Sequence, residues 1–155
     1  MNSLLFWIFY VGGCTTPTSF DTTTSFSPAL HQIILSLRWR YGPSCQGIEA
    51  YWSTSLPQGT IVQAMTGPKT DNPHFDDDAL QTQSIVIDAK GEAHLPLAPV
   101  LYSADNNFLN IRVWGTDPTI LHMLMKSQEK GGFRIAESPD GPYGWAETTL
   151  PKCIP

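Results

Sequence analysis

The sequence predicts an all-β domain with at most one short helix, and three observations predict it. The 155 residues include 12 Gly and 13 Pro, a density of turn formers that interrupts helices. Only 15% of residues are charged, so the Glu, Lys and Arg that build exposed helices are scarce. Apolar and polar residues also alternate in short runs, the period-two pattern of half-buried strands. The length fits one domain of about 120 residues once both ends are set aside, enough to bury a core of its own.

The first run is His31 to Tyr41, with Ile33, Leu35, Leu37, Trp39 and Tyr41 on one face and Ser36, Arg38 and Arg40 on the other. Gly42-Pro43 ends it. Strands over Ile48 to Ser53 and Gly59 to Thr66 follow, separated by the turn-forming Leu56-Pro57-Gln58-Gly59. Gly67 to Leu80 reads as a long polar loop. Ser84 to Asp88 and Glu92 to Leu97 are expected to form a hairpin. Ile85 and Ile87 face the core from one arm, Ala93, Leu95 and Leu97 from the other, and Gly91 takes the left-handed turn position. Asp105-Asn106-Asn107 turns the chain into Phe108 to Trp114, whose Leu109, Ile111 and Val113 point inward and whose Trp114 points the other way. One helix is expected next, capped by Asp117, started by Pro118 and stopped by Gly131. Its buried stripe would be Ile120, Leu121, Leu124 and Met125; a strand over Ile120 to Lys126 is the alternative. Phe133 to Glu137 and Trp145 to Leu150 close the domain, joined by Ser138-Pro139-Asp140-Gly141-Pro142. About six to eight short strands with antiparallel turns make a two-sheet antiparallel β-sandwich, immunoglobulin-like or transthyretin-like.

Ahead of this domain, Leu4 to Val11 is an unbroken apolar run. A bilayer span needs about 20 such residues, so the run is too short to cross but suits the apolar part of a secretory signal. It leads into Val11-Gly12-Gly13-Cys14, where small residues before a Cys let the chain lie extended in a peptidase groove. This motif resembles the lipobox of bacterial lipoproteins; no Lys or Arg stands before Leu4, where an export signal normally carries positive charge. The resemblance implies that residues 1–13 are a lipoprotein-type signal peptide and that the Cys14 sulfur takes a diacylglycerol. Thr15 directly after it implies an outer-membrane protein of a bacterial cell envelope, facing the periplasm or the cell surface. The alternative is a core strand over Leu4 to Val11 with Cys14 an ordinary buried thiol. Thr15 to Pro28, nearly all Thr, Ser and Pro apart from Phe20, Asp21 and Phe26, is expected to be a tether. As a coil it would reach about 20 Å, and about 50 Å when stretched. Residues 29–155 then hold the sandwich.

With Cys14 given to lipid by that resemblance, Cys45 and Cys153 remain of the three cysteines, an even pair that an oxidising periplasm would join. Two free buried thiols are the alternative. Neither has a Cys or His at ligand spacing, so no metal is expected there.

Charge and motif narrow the function classes. The net charge of −5 comes from 14 acids against 9 scattered bases, so no nucleic acid is expected as a partner. Asp76, Asp77 and Asp78 crowd carboxylates into one loop, but that loop has neither the central Gly nor the final Glu of an EF-hand. It reads as a solvated acidic loop, with Ca²⁺ as the alternative. His31, His74, His94 and His122 stand apart, and His122 beside Met123 and Met125 would point in a different direction from them on a helix. No Ser lies in a nucleophile elbow, and no cofactor is implied. The aromatics remain: Trp39, Trp52, Trp114 and Trp145, with Tyr41, Tyr51, Tyr102 and Tyr143, are many for so small a domain, and most are expected in the core. Trp114, Tyr143 and Trp145 are the expected binding surface. Together these features lead to the expectation of a lipid-anchored, non-enzymatic subunit that docks on another envelope protein in a secretion, pilus or outer-membrane complex. A surface glycan-binding module using exposed Trp and Tyr is the alternative.

Overall fold

A computed structural model describes residues 19–23, 26–68, 81–97 and 107–154. Residues 1–13, Cys14, Tyr102 and the carboxylates of Asp76, Asp77 and Asp78 lie outside the described residues. Among the described residues nine strands form two antiparallel sheets. The four-stranded sheet runs β1 (Asp21–Thr23), β2 (Ile34–Tyr41), β3 (Ile48–Thr54), β6 (Glu92–Leu95). The five-stranded sheet runs β5 (Gln81–Val86), β4 (Ile61–Pro68), β7 (Asn107–Trp114), β9 (Gly141–Leu150), β8 (Arg134–Ser138). In the immunoglobulin arrangement the second strand lies between the first and fifth, and the sixth between the third and seventh. The runs β2-β3-β6 and β4-β7-β9 reproduce those two neighbourhoods, with α2 (Pro118–Glu129) and β8 inserted before β9.

The core follows from alternation. Leu37, Trp39 and Tyr41 of β2, Ile48, Ala50 and Trp52 of β3, Val62 and Ala64 of β4, and Leu109, Ile111 and Val113 of β7 all turn between the sheets. Trp52 is 2% exposed and is the largest of the fully buried side chains. The start of β2 departs from the expected pattern. A register shift between Ile34 and Ser36 buries Ile33 and Ile34 together and turns Leu35 outward at 39% exposure. Such a bulge breaks the alternation locally, at Ile34 and Leu35, which the period alone does not reveal.

The expected hairpin over Ser84 to Leu97 is corrected. Gly91 does take a left-handed φ of 78°, and Gly91 N donates to Asp88 O at 3.0 Å. The two arms, however, belong to different sheets: β5 pairs with β4, and β6 pairs with β3. Thr54 N donates to Gly91 O, and Gly59 N to Ile87 O, so each arm is captured by the sheet it meets. Turn chemistry fixes the reversal and says nothing about which neighbour each arm finds.

The helix forms as expected. The Asp117 carboxylate accepts from Thr119 N at 2.8 Å and Ile120 N at 3.3 Å, and Pro118 opens the first turn. Its buried face is Ile120, Leu124 and Ser127, spaced i, i+4, i+7, whereas Leu121 is half-buried and Met125 is 49% exposed. Ser127 is buried because its hydroxyl is used: it accepts from Phe133 N and donates to Ala29 O. Leu124 reaches β9 only because position 144 has no side chain; a Cβ there would meet Leu124 Cδ2 at 2.7 Å.

Part of the stretch expected as a tether is docked. Asp21 to Thr23 pair with Trp39 to Leu37 at the edge of the four-stranded sheet. Pro28 to His31 form one helical turn, α1, capped by the Ser27 hydroxyl, which accepts from Leu30 N. β1 has no buried face of its own, so no hydrophobic period marked it.

Cys45 and Cys153 form a disulfide across 108 residues, with Cα atoms 6.0 Å apart. The loop that carries Cys45 is bent through left-handed backbone at Ser44 (φ 55°) and Cys45 (φ 59°), each costing roughly 1 kcal/mol or more. The Tyr41 hydroxyl donates to Pro151 O at 2.7 Å and accepts from Asn107 Nδ2 at 3.2 Å, fixing the C-terminal segment beside the bond. Burial raises the Tyr41 hydroxyl above its ordinary pKa, and the Asn107 hydrogen bond offsets part of that. Replacing both cysteines by Ala is expected to lower unfolding stability by about 2–5 kcal/mol. Urea denaturation checks this; an unchanged midpoint would mean that the C-terminal segment is held without the bond.

Candidate functional site

The outer face of the five-stranded sheet is built by the pairing of β7 with β9. That register sets Trp114 opposite Tyr143 and Arg112 opposite Trp145, and β8 sets Arg134 opposite Trp145. The three aromatics singled out in the sequence thus lie on one face, all half-buried. Trp114 and Tyr143 meet edge to face at 5.5 Å with planes 64° apart. The Arg112 guanidinium lies 4.8 Å from both ring centroids, and Arg134 lies 5.0 Å from that of Trp145. Cation–π contacts of this kind contribute about 0.5–2 kcal/mol each. Arg112 is only 4% exposed, and its Nε and Nη2 both donate to Gln63 Oε1, the former at 2.7 Å.

The apolar surface extends beyond the three aromatics expected from the sequence. Val62 pairs with Val113, so Ile61 stands beside Trp114, and Ile61 pairs with Val86. Val86, Ile61, Trp114, Tyr143 and Ala136 therefore form one row across the sheet, about 20 Å long at the usual strand spacing. Ile61 and Val86 are 56% and 57% exposed. The signal was present: both are apolar at positions where alternation calls for polar residues, since Val62, Ala64 and Ile87 already fill the inward sites.

Toward the other end the same face closes. Met65 and Phe108 are fully buried, with Trp145 packed on them. Asn110 lies among them at 0% exposure, its side-chain amide without a hydrogen-bond partner among the described residues, at a cost of about 1–3 kcal/mol. Trp145 and Arg134 also line a groove of about 460 Å³ with Ser27, Thr148 and Phe26, between β9 and the segment around α1.

The opposite face, on the four-stranded sheet, is a polar network. Arg40 donates to Glu49 Oε1 through Nε at 3.0 Å and Nη2 at 2.7 Å, and His94 Nε2 lies 2.8 Å from Glu49 Oε2. His94 stacks flat on Tyr51, 4.2 Å between centroids and 4° between planes. Arg38 covers Tyr51 at 4.5 Å, and Phe20 lies against Tyr51 and under Arg40. Burial alone would raise the Glu49 carboxyl; hydrogen bonds from His94 and Arg40, with the charges of both, outweigh it and hold the group below the usual carboxylate range.

Among the described residues no three His, Cys, Asp or Glu side chains converge as a metal cluster, and no helix is long and apolar enough to cross a membrane. His122 is exposed on α2.

A depressed carboxyl pKa stabilises the fold above the unfolded-chain value, and that contribution is lost as pH falls through the folded value. Glu49→Gln is therefore expected to be less stable than the parent at pH 7 and to lose that deficit as pH falls below 4.5. Urea midpoints measured against pH for both proteins check this; a deficit that does not shrink as pH falls below 4.5 would contradict it. No protein-family model matches the chain, and no curated protein or solved structure is detectably similar to it.

Proposed function

We propose that this chain is a lipid-anchored, non-enzymatic envelope protein that docks a protein partner on the outer face of its five-stranded sheet. The single observation that carries the docking reading is the row Val86–Ile61–Trp114–Tyr143, exposed at Val86 and Ile61 and half-buried at Trp114 and Tyr143, apolar across the sheet where a solvated face would be polar. Rings tilted 64° to each other, with a guanidinium already on both, offer no common plane for a sugar, whereas aromatics, Arg and exposed aliphatics are what protein interfaces use. The lipobox-like Val11-Gly12-Gly13-Cys14 supports the anchor, and the remaining two cysteines being bonded to each other fits Cys14 as the acylated one.

A second reading, a surface glycan-binding module, is favoured by the groove in which Trp145 and Arg134 meet Ser27 and Thr148. Saturable quenching of tryptophan fluorescence by cell-wall polysaccharides, lost in Trp145→Ala, would support it over the first.

Purification of the intact protein from its native membrane tests the leading reading. Its mass is expected to match a chain that begins at Cys14 with acyl chains attached and to rise by two hydrogen atoms on reduction of the Cys45–Cys153 bond. Proteins recovered with it are expected to fall about tenfold or more with Ile61→Asp/Val86→Asp and to be retained with Arg38→Ala on the other sheet. An unprocessed, unacylated chain contradicts the anchor, and equal recovery from both variants contradicts the docking face.

A further inference from the structure

We propose that the pocket beside Ile61 and Trp114, in the middle of this row, holds a Lys or Arg side chain of the docking partner; the inference rests on the docking reading above. The pocket is open, about 450 Å³, and lined by Thr60, Ile61, Trp114, Thr116, Ile120 and Asp140, with Gly59. Ile61 and Trp114 belong to the row, so the pocket continues the docking face. Ile120, 8% exposed, comes from the first turn of α2. Asp140 comes from the β8–β9 turn, so three separate parts of the chain build this site.

Its chemistry has two parts. Ile61, Trp114 and Ile120 give apolar walls, and Asp140 is the one charged side chain lining the pocket among the described residues. Asp140 N donates to the Ser138 hydroxyl, which fixes the turn, while the carboxylate has no hydrogen bond or ion pair among the described residues. A long basic side chain matches both parts, because its methylene stem lies on apolar surface while the cationic head reaches a carboxylate. An acidic side chain would set two negative charges against each other in a chain of net charge −5, and a purely aliphatic one would cover Asp140 without pairing it. Gly59 takes a left-handed φ of 87°, a backbone conformation that side-chain-bearing residues rarely adopt, so this part of the lining carries no side chain.

The test titrates the full chain in nanodiscs with n-butylguanidinium, 1-pentanol and pentanoate, following the Trp114 indole N–H by NMR and assigning it with Trp114→Phe. The expected result is a saturable shift with butylguanidinium, at least about tenfold tighter than with pentanoate. Asp140→Asn keeps the turn and is expected to bring butylguanidinium down to the affinity of pentanol, while Glu137→Gln on the neighbouring strand leaves it unchanged. Equal affinities for the two ions, an unaltered preference in Asp140→Asn, or no saturable shift at all would each overturn the proposal. The same variant separates it from the reading it rests on. Partner recovery that falls with Ile61→Asp/Val86→Asp but not with Asp140→Asn leaves the docking face standing and removes the basic anchor. Recovery indifferent to both removes the two together.

Discussion

The register between β7 and β9 is the constraint on which the rest of this molecule depends. β7 is central in its sheet, and every side chain from Asn107 to Val113 is buried. One set, Leu109, Ile111 and Val113, joins the two sheets. The other set, Phe108, Asn110, Arg112 and Trp114, builds the outer face. Because successive side chains alternate, a slip of one residue between β7 and β9 would set inward residues of one strand beside outward residues of the other. It would put Leu124 against a residue larger than Gly144 and part Trp114 from Tyr143. Core packing and the aromatic face are therefore fixed by the same pairing.

The disulfide and the helix hold that pairing from its two ends. At the Leu150 end, Cys153 is bonded to the β2–β3 loop, and the Tyr41 hydroxyl holds Pro151. At the Tyr143 end, α2 inserts Leu124 against Gly144, and Gly115 N donates to Pro142 O. The outer face can carry exposed apolar side chains because the strands beneath it are anchored elsewhere. Charge pairing on the four-stranded sheet serves a different end: Arg40, Glu49 and His94 satisfy one another and leave that face polar.

Much of the fold was legible because it rests on local rules. Alternation identified β3, β4 and β7 nearly to their ends, and Asp117, Pro118 and Gly131 marked the helix. Where the reading departed, the deciding interaction was non-local. The bulge at Ile34–Ser36 is set by pairing with β3, and the separation of β5 from β6 by which sheet captures each arm. Ser127 was overlooked because its burial comes from hydrogen bonds to Ala29 and Phe133, distant in sequence or beyond the helix end. The site was legible in part. Counting aromatics found Trp114, Tyr143 and Trp145, but only the register shows them on one face with Arg112. Ile61 and Val86 became informative once the inward positions of their strands were known to be filled.

The proposed docking role places a protein partner on the outer face of the five-stranded sheet. The most direct measurement places a photo-crosslinking benzoylphenylalanine at position 86 in the producing cells, with the same group at position 35 on the opposite sheet as the comparison. Both positions are exposed, at 57% and 39%. One discrete adduct from position 86, absent from position 35, is the predicted result. No adduct from position 86, or the same adducts from both positions, would contradict it.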